Sequence, residues 1–339
     1  MRFRPLGAMF VLAALAAGLA LVPAMDSAVS GRWQDQKQDQ QPIKIGTSLV
    51  SLYATVRDNH KKIVANLEQN QFHIYEDGVE QKVAFFSQEK TLPLTMGILI
   101  DTSGSEETMI GAIQQAATQF LQRVMQKKDE AMVITFDLDV DLLADWTNDL
   151  PQLERAIHRA RVNTGGAGGQ VTPGPVPSNI SGGGTNFYDA VYLACHDKMA
   201  SEAGRKALII LTDAEDTGSK LKLQDAIEAA QRADTVVHVL LIAASPNHGF
   251  VIGSNGGDMG VARKLTDETG GRAIDVKNEK DLLKAFDEIT EEMRSEYSLG
   301  FYPTNTKLDG SFRHLKVETT DKDYKVVSRK GYYAKHEGD

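Results

Sequence analysis

The residues best placed to do chemistry are oxygen donors at the ends of apolar runs. Asp101-Thr102-Ser103-Gly104-Ser105 closes the run 94–100, and Asp213-Ala214-Glu215-Asp216 follows the run 207–212. A third group, Gly183-Gly184-Thr185-Asn186, opens an amphipathic segment. Together Asp101, Ser103, Ser105, Thr185 and Asp213 offer two carboxylates and three hydroxyls, with no His or Cys among them. Hard oxygen donors carrying few charges suit a partly hydrated octahedral cation. Mg²⁺ is the first choice, with Mn²⁺ or Ca²⁺ as alternatives, and Zn²⁺ is a poor match.

These residues are far apart in sequence, so the elements around them must bring them together. The runs 94–100, 131–136, 207–212 and 236–242 read as buried strands. Between them Ile113, Ala117, Phe120, Leu121 and Val124 recur at helical spacing. Helices are predicted near 150–161, from about Asn186, and near 221–233. Residues 273–276 precede a last helix carrying Leu282, Phe286, Ile289 and Met293, with Asn278 suited to cap it. Near-continuous apolar strands alternating with amphipathic helices predict an α/β, doubly wound, mostly parallel sheet covered on both faces. In such sheets ligands sit beyond the carboxyl ends of the strands, where all three donor groups fall.

The flanks have period two instead. Val50, Leu52, Ala54 and Val56 alternate with polar residues, and Phe72, Ile74, Val83 and Phe85 surround an Asp77-Gly78 turn signal. At the other end 297–301 alternates, and Phe312, Leu315, Val317, Tyr324, Val326, Val327, Tyr332 and Tyr333 follow. A few strands cannot bury both faces alone. Residues 47–89 and 296–334 are therefore expected to pair into a small β-sandwich-like domain interrupted by the 91–294 domain. The alternative is two separate β appendages.

Asp101-x-Ser103-x-Ser105, Thr185 in Gly-Gly-Thr-Asn-Phe-Tyr-Asp-Ala, and Asp213 in Leu-Thr-Asp-x-Glu-Asp resemble the metal-ion-dependent adhesion site of von Willebrand factor A (VWA) domains. The likeness extends over 91–294 and includes the order of strands and helices. Tyr-Glu-Asp-Gly-Val at 75–79 and Arg-Lys-Gly-Tyr-Tyr at 329–333 further resemble secreted bacterial VWFA-related proteins. The resemblance implies a Rossmann-like fold in which Ser103 and Ser105 ligate the metal directly. Asp101 and Asp213 would act largely through water, and Thr185 would alternate between direct and water-mediated contact. An ion touched only by hydroxyls and water is under-neutralised, so a protein partner's Asp or Glu carboxylate would complete its shell.

Other residues define the surroundings. Glu106, Glu107, Glu215 and Asp216 are expected to form a solvated acidic rim; an adjacent Ca²⁺ site is the alternative, and their spacing does not reproduce one. Asp189, one helical turn after Thr185, is expected to support it by a hydrogen bond. The Gly/Pro-rich stretch 163–184 is read as a disordered insertion or an adaptable rim around the metal. It lacks the Gly-Lys-Ser/Thr of a phosphate loop. A second glycine-rich loop lies at 253–257.

Bulk properties narrow the function classes. A chain of 339 residues, with 42% apolar residues, can bury a sizeable core. A net charge of -9, with no basic cluster interleaved with aromatics, argues against nucleic acid. Arg2 and Arg4 precede an apolar run over 6–22 and then Pro23-Ala24-Met25. Residues 1–25 therefore read as a signal peptide or an N-terminal anchor, and 26–46, rich in Gln, as a polar linker. Either route places the rest outside the cytoplasm, as a secreted, periplasmic or cell-surface protein whose membrane contact is limited to that anchor. Cys195, the single cysteine, excludes an internal disulfide and reads as a buried thiol.

No Gly-x-Ser-x-Gly elbow or metalloprotease His pair occurs, and His238 falls in a buried strand where a satisfied core role is expected. The expected function is an exported metal-dependent protein-binding or adhesion module rather than an enzyme. A structural cell-envelope component whose metal only stabilises the fold is the alternative, and a metal-dependent hydrolase is a weaker one.

Overall fold

Every residue of the strand Leu94–Asp101 is buried, as is every residue of Arg205–Thr212, and the two lie side by side in parallel. The computed structural model in which this is seen describes residues 49–88, 93–162, 184–242 and 257–336. All of these belong to one compact unit spanning Gly46–Asp339. The expected export segment and linker, the stretch 163–183 and most of the loop 253–257 lie outside the described residues. Among the described residues no helix is long and apolar enough to cross a membrane.

The described residues begin with β1 (Val50–Arg57), β2 (Phe72–Glu76), β3 (Val79–Gln81) and β4 (Val83–Ser87). The middle alternates β5 (Leu94–Asp101), α1 (Ile110–Val124), β6 (Glu130–Phe136), β7 (Val140–Thr147), α2 (Leu150–Ile157) and α3 (Phe187–Leu193). It continues through β8 (Arg205–Thr212), α4 (Leu223–Arg232), β9 (Thr235–Ile242), α5 (Met259–Thr269), β10 (Ala273–Val276) and α6 (Glu279–Ser295). The last strands are β11 (Tyr297–Phe301), β12 (Phe312–Thr319), β13 (Lys325–Val327) and β14 (Gly331–Tyr333).

The central sheet has the order β10-β9-β8-β5-β6-β7, parallel throughout except for β7. The fold is therefore the doubly wound, mostly parallel α/β sheet that the strand pattern implies. One face packs on α1, α2 and α6 through Phe120, Leu153, Phe286 and Ile289. The other packs on α3, α4 and α5 through Phe187, Ile227 and Leu265. Cys195 lies fully buried in that second core, where burial pushes its thiol pKa upward. Chain order runs outward from β5 to β6 on one side, then returns to β8 on the other. The crevice at the carboxyl ends of β5 and β8 is thus the topological switch point, where such sheets bind ligands.

The flanking strands form two four-stranded sheets, β13-β1-β11-β4 and β14-β12-β2-β3. Both mix strands from the two ends of the described chain. Their facing sides share one core of Leu52, Ala54, Phe72, Ile74, Tyr297, Leu299, Phe301 and Leu315. Phe85 departs from the expected alternation: it is 45% exposed, whereas Phe86 packs beside Phe72 and Tyr297. The cause is a shift of register between Gly300 and Phe301, which puts one extra residue of β4 opposite β11 and reverses the faces beyond it.

Candidate metal centre

Asp101 is the last residue of β5 and fully buried. Its Oδ1 accepts the Ser103 N–H at 2.9 Å, and its Oδ2 accepts the Thr212 hydroxyl at 2.5 Å. The first bond bends the chain back over the strand end, and the second ties β5 to β8. Ser103 and Ser105 then present their hydroxyl oxygens 2.9 Å apart. Asp213 follows β8 directly and is also buried. Its Oδ1 accepts the Glu215 N–H at 3.0 Å, across Ala214 in the left-handed conformation (φ 58°). Its carbonyl accepts the Asp258 N–H at 2.8 Å. Gly257 makes that approach feasible, because a Cβ there would lie 2.6 Å from the Asp213 carbonyl oxygen.

Thr185 reaches the same end of the sheet on the segment entering α3. Its N–H donates to the Thr217 hydroxyl at 3.0 Å, and its carbonyl accepts from the N–H groups of Thr217 and Gly218. The next residue, Asn186, donates its N–H to the Asp137 carbonyl at 2.7 Å. Asp137 in turn accepts the Thr102 hydroxyl at 3.2 Å. All five residues therefore sit on one group of loops held together by hydrogen bonds, and four of the five are buried.

The acidic neighbours divide differently from the expectation. Glu107 is exposed, and Glu215 is half-buried. Asp216 is tied to α3, accepting the Tyr188 N–H at 3.1 Å and the Ser219 hydroxyl at 2.5 Å. Glu106 is no part of a solvated rim: it is 1% exposed, because a single 3₁₀ turn over Gly104–Glu106 turns it inward. One carboxylate oxygen each of Asp101, Glu106 and Asp213 lies within 4.8 Å of the others. Neither oxygen of Glu106 has a hydrogen-bond partner. Asp189 also differs from the expected support for Thr185. Its carboxylate accepts the backbone N–H groups of Lys220 and Leu221, at 3.1 and 2.9 Å.

This crowding shows in the acidities. Burial pushes the Asp101 carboxyl up to about 7; the Ser103 and Thr212 hydrogen bonds oppose the rise, and the Asp213 charge adds to it. Burial, then the charges of Asp101 and Asp213, push Glu106 up to about 9. Three buried carboxyl groups with clustered hydroxyls offer oxygen donors only, and a divalent cation among them would favour their ionised forms; this chemistry fits a hard cation. Asp101, Ser103, Ser105, Thr185 and Asp213 are the residues that would hold it.

A family model described as von Willebrand factor type A domain matches residues 96–216, a span that contains all five residues. The segment 96–216, within the region between the β flanks, thus matches a von Willebrand factor type A domain. Three solved structures illustrate how distant the similar folds are. A von Willebrand factor type A protein from Catenulispora acidiphila is 12% identical with a TM-score of 0.47, covering 86% of this chain and 74% of its own. The conserved hypothetical protein BatB from Bacteroides thetaiotaomicron is 18% identical with a TM-score of 0.44, covering 59% and 97%. Proximal thread matrix protein 1 from the mussel byssus, with a zinc-occupied metal-ion-dependent adhesion site, is 12% identical with a TM-score of 0.46, covering 64% and 49%. No curated protein matches the sequence.

Proposed function

We propose that this chain is an exported protein-binding module that works through a divalent cation, Mg²⁺ in the first instance, held by Asp101, Ser103, Ser105, Thr185 and Asp213. The observation that carries the reading is the convergence of the buried Asp101 and Asp213 carboxylates beside the paired Ser103 and Ser105 hydroxyls at the switch point of the sheet. A bound cation supplies an electrophilic point on the rim of the domain. A partner's Asp or Glu carboxylate would complete its coordination in a partly desolvated crevice, where a charge-assisted contact is strong. The chain's own residues do the positioning: Thr212 orients Asp101, and the turn through Ala214 orients Asp213. Export rests on Arg2, Arg4 and the apolar run that follows them.

The function proposed is binding rather than catalysis, and phosphatase and esterase assays with Mg²⁺ or Mn²⁺ should give no turnover. Burial of Glu106 within the same cluster favours a second reading, a structural envelope component whose cation only stabilises the fold. The two separate in a pulldown from envelope and secreted fractions in Mg²⁺ or EDTA, with wild type and Asp101→Ala. The binding reading expects a partner retained by wild type in Mg²⁺ and lost with EDTA or the substitution. A capture profile unchanged by either treatment contradicts it.

A further inference from the structure

Among the described residues at the strand ends, Glu106 is the group that the five-residue site leaves unexplained. Its side chain is buried, and both of its oxygens lack a hydrogen-bond partner. No salt bridge reaches it among the described residues, and its nearest charged neighbours are the carboxylates of Asp101 and Asp213. A buried carboxylate without a donor or a counter-charge is expensive, and like charges close by raise the cost. One cation among the three carboxylates relieves all of them at once.

The local backbone explains why this acid enters the cluster while the next does not. The Glu106 N–H donates to the Ser103 carbonyl at 3.1 Å, closing the 3₁₀ turn. With three residues per turn, side chains at i and i+3 eclipse, so Glu106 stands over Ser103. Glu107, one residue on, rotates out to solvent.

Resting on the metal-binding reading above, we propose that Glu106 is itself a direct ligand of the cation, a third carboxylate supplied by this chain. It fills the position that a partner's carboxylate would take, and a partner engages by displacing it. With Asp101, Glu106 and Asp213 ionised, three negative charges face a divalent ion, so a further anion gains little unless one of them leaves.

The test uses Mn²⁺ alone as the probe, with the full chain, read by calorimetry and by water-proton relaxation of the bound ion. Glu106→Gln keeps the shape of the side chain and removes its charge; the melting temperature without metal checks its fold, and Glu106→Ala is the second variant. Removing outer-shell groups already costs metal sites about 10–100-fold in affinity, so loss of a direct ligand should cost at least about 10-fold. Bound Mn²⁺ in the variants should also gain a fast-exchanging water, and added acetate should then lower the relaxation. In wild type, acetate at the concentrations that act on the variants should leave it unchanged, because it must displace Glu106 first. Wild-type affinity and hydration in both variants, or acetate binding as tightly to Mn²⁺-loaded wild type as to the variants, would overturn the role of Glu106 while leaving the metal site standing. Absence of Mn²⁺ binding by wild type would overturn the metal-site reading, and this proposal with it.

Discussion

At the residue scale the cluster depends on oxygens held in place by groups that would not themselves face a bound ion. Thr212 is the clearest case, since its hydroxyl donates to Asp101 Oδ2 while accepting the Ala214 N–H at 3.0 Å. Thr212→Val keeps the volume and removes both bonds. It should lower Mg²⁺ affinity by about 10–100-fold without deleting a ligand, as measured by calorimetry. The members of the site differ in how legible they are. Asp101, Ser103 and Ser105 can be read from spacing at a strand end, and Asp213 from its place after a second apolar run. Glu106 cannot, because a Glu next to another Glu reads as surface and such residues are rarely fully buried. Only the 3₁₀ turn, a backbone event with no pattern of its own, carries it inside. The one available signal was its i+3 spacing from Ser103.

At the element scale, β9 holds a titratable group with no outlet. His238 is buried as its strand predicts, but not satisfied, since neither ring nitrogen has a hydrogen-bond partner. Burial lowers its pKa to about 4, with Glu292 opposing and Arg272 assisting. Unfolded, the ring titrates near ~6.5. Between those values the unfolded chain takes up a proton that the folded chain refuses. Stability present above pH ~6.5 should therefore fall as the pH drops towards 4, by up to ~3 kcal/mol. Denaturant unfolding across this range should show that slope in wild type, and His238→Leu should flatten it. Helix α6 gives a second element-scale prediction. Asn278 Oδ1 accepts the Asp281 N–H at 3.0 Å, as its position in the sequence suggests, so Asn278→Ala should cost ~1 kcal/mol in the same assay.

Two further elements carry a signal in the sequence. The run Val140, Leu142, Leu143, Ala144 and Trp146 is rich in apolar residues through β7, and Asp258 and Gly270 bracket α5 as N-cap and left-handed C-cap. The bulge that turns Phe85 outward was not legible, because register depends on the partner strand β11, distant in sequence.

At the scale of the whole molecule, strands from both ends of the described chain form two sheets around one core, and charged contacts join them to the central domain. Arg57 of β1 and Arg272, just before β10, both bind Glu292 of α6, and Arg205 of β8 binds Glu296 at 3.1 Å. Arg329 pairs with Asp234, and Arg232 of α4 stacks 4.0 Å over the Tyr333 ring of β14. Removing Glu292 leaves Arg57 without that partner and strips one of two from Arg272. Glu292→Ala should therefore destabilise the protein by ~2 kcal/mol, below the range for fully buried pairs because both arginines keep some solvent contact. Urea unfolding would measure it, and metal affinity should be unaffected, since these contacts do not touch the strand-end loops.

The account as a whole turns on whether the cluster at the ends of β5 and β8 binds a divalent cation. Isothermal titration of the full chain with Mg²⁺, alongside Asp101→Ala and Asp213→Ala, asks this directly, with circular dichroism confirming that each variant is folded. Saturable binding by wild type, lost in both folded variants, is the predicted result. Equal binding by all three proteins, or none by folded wild type, would contradict the account.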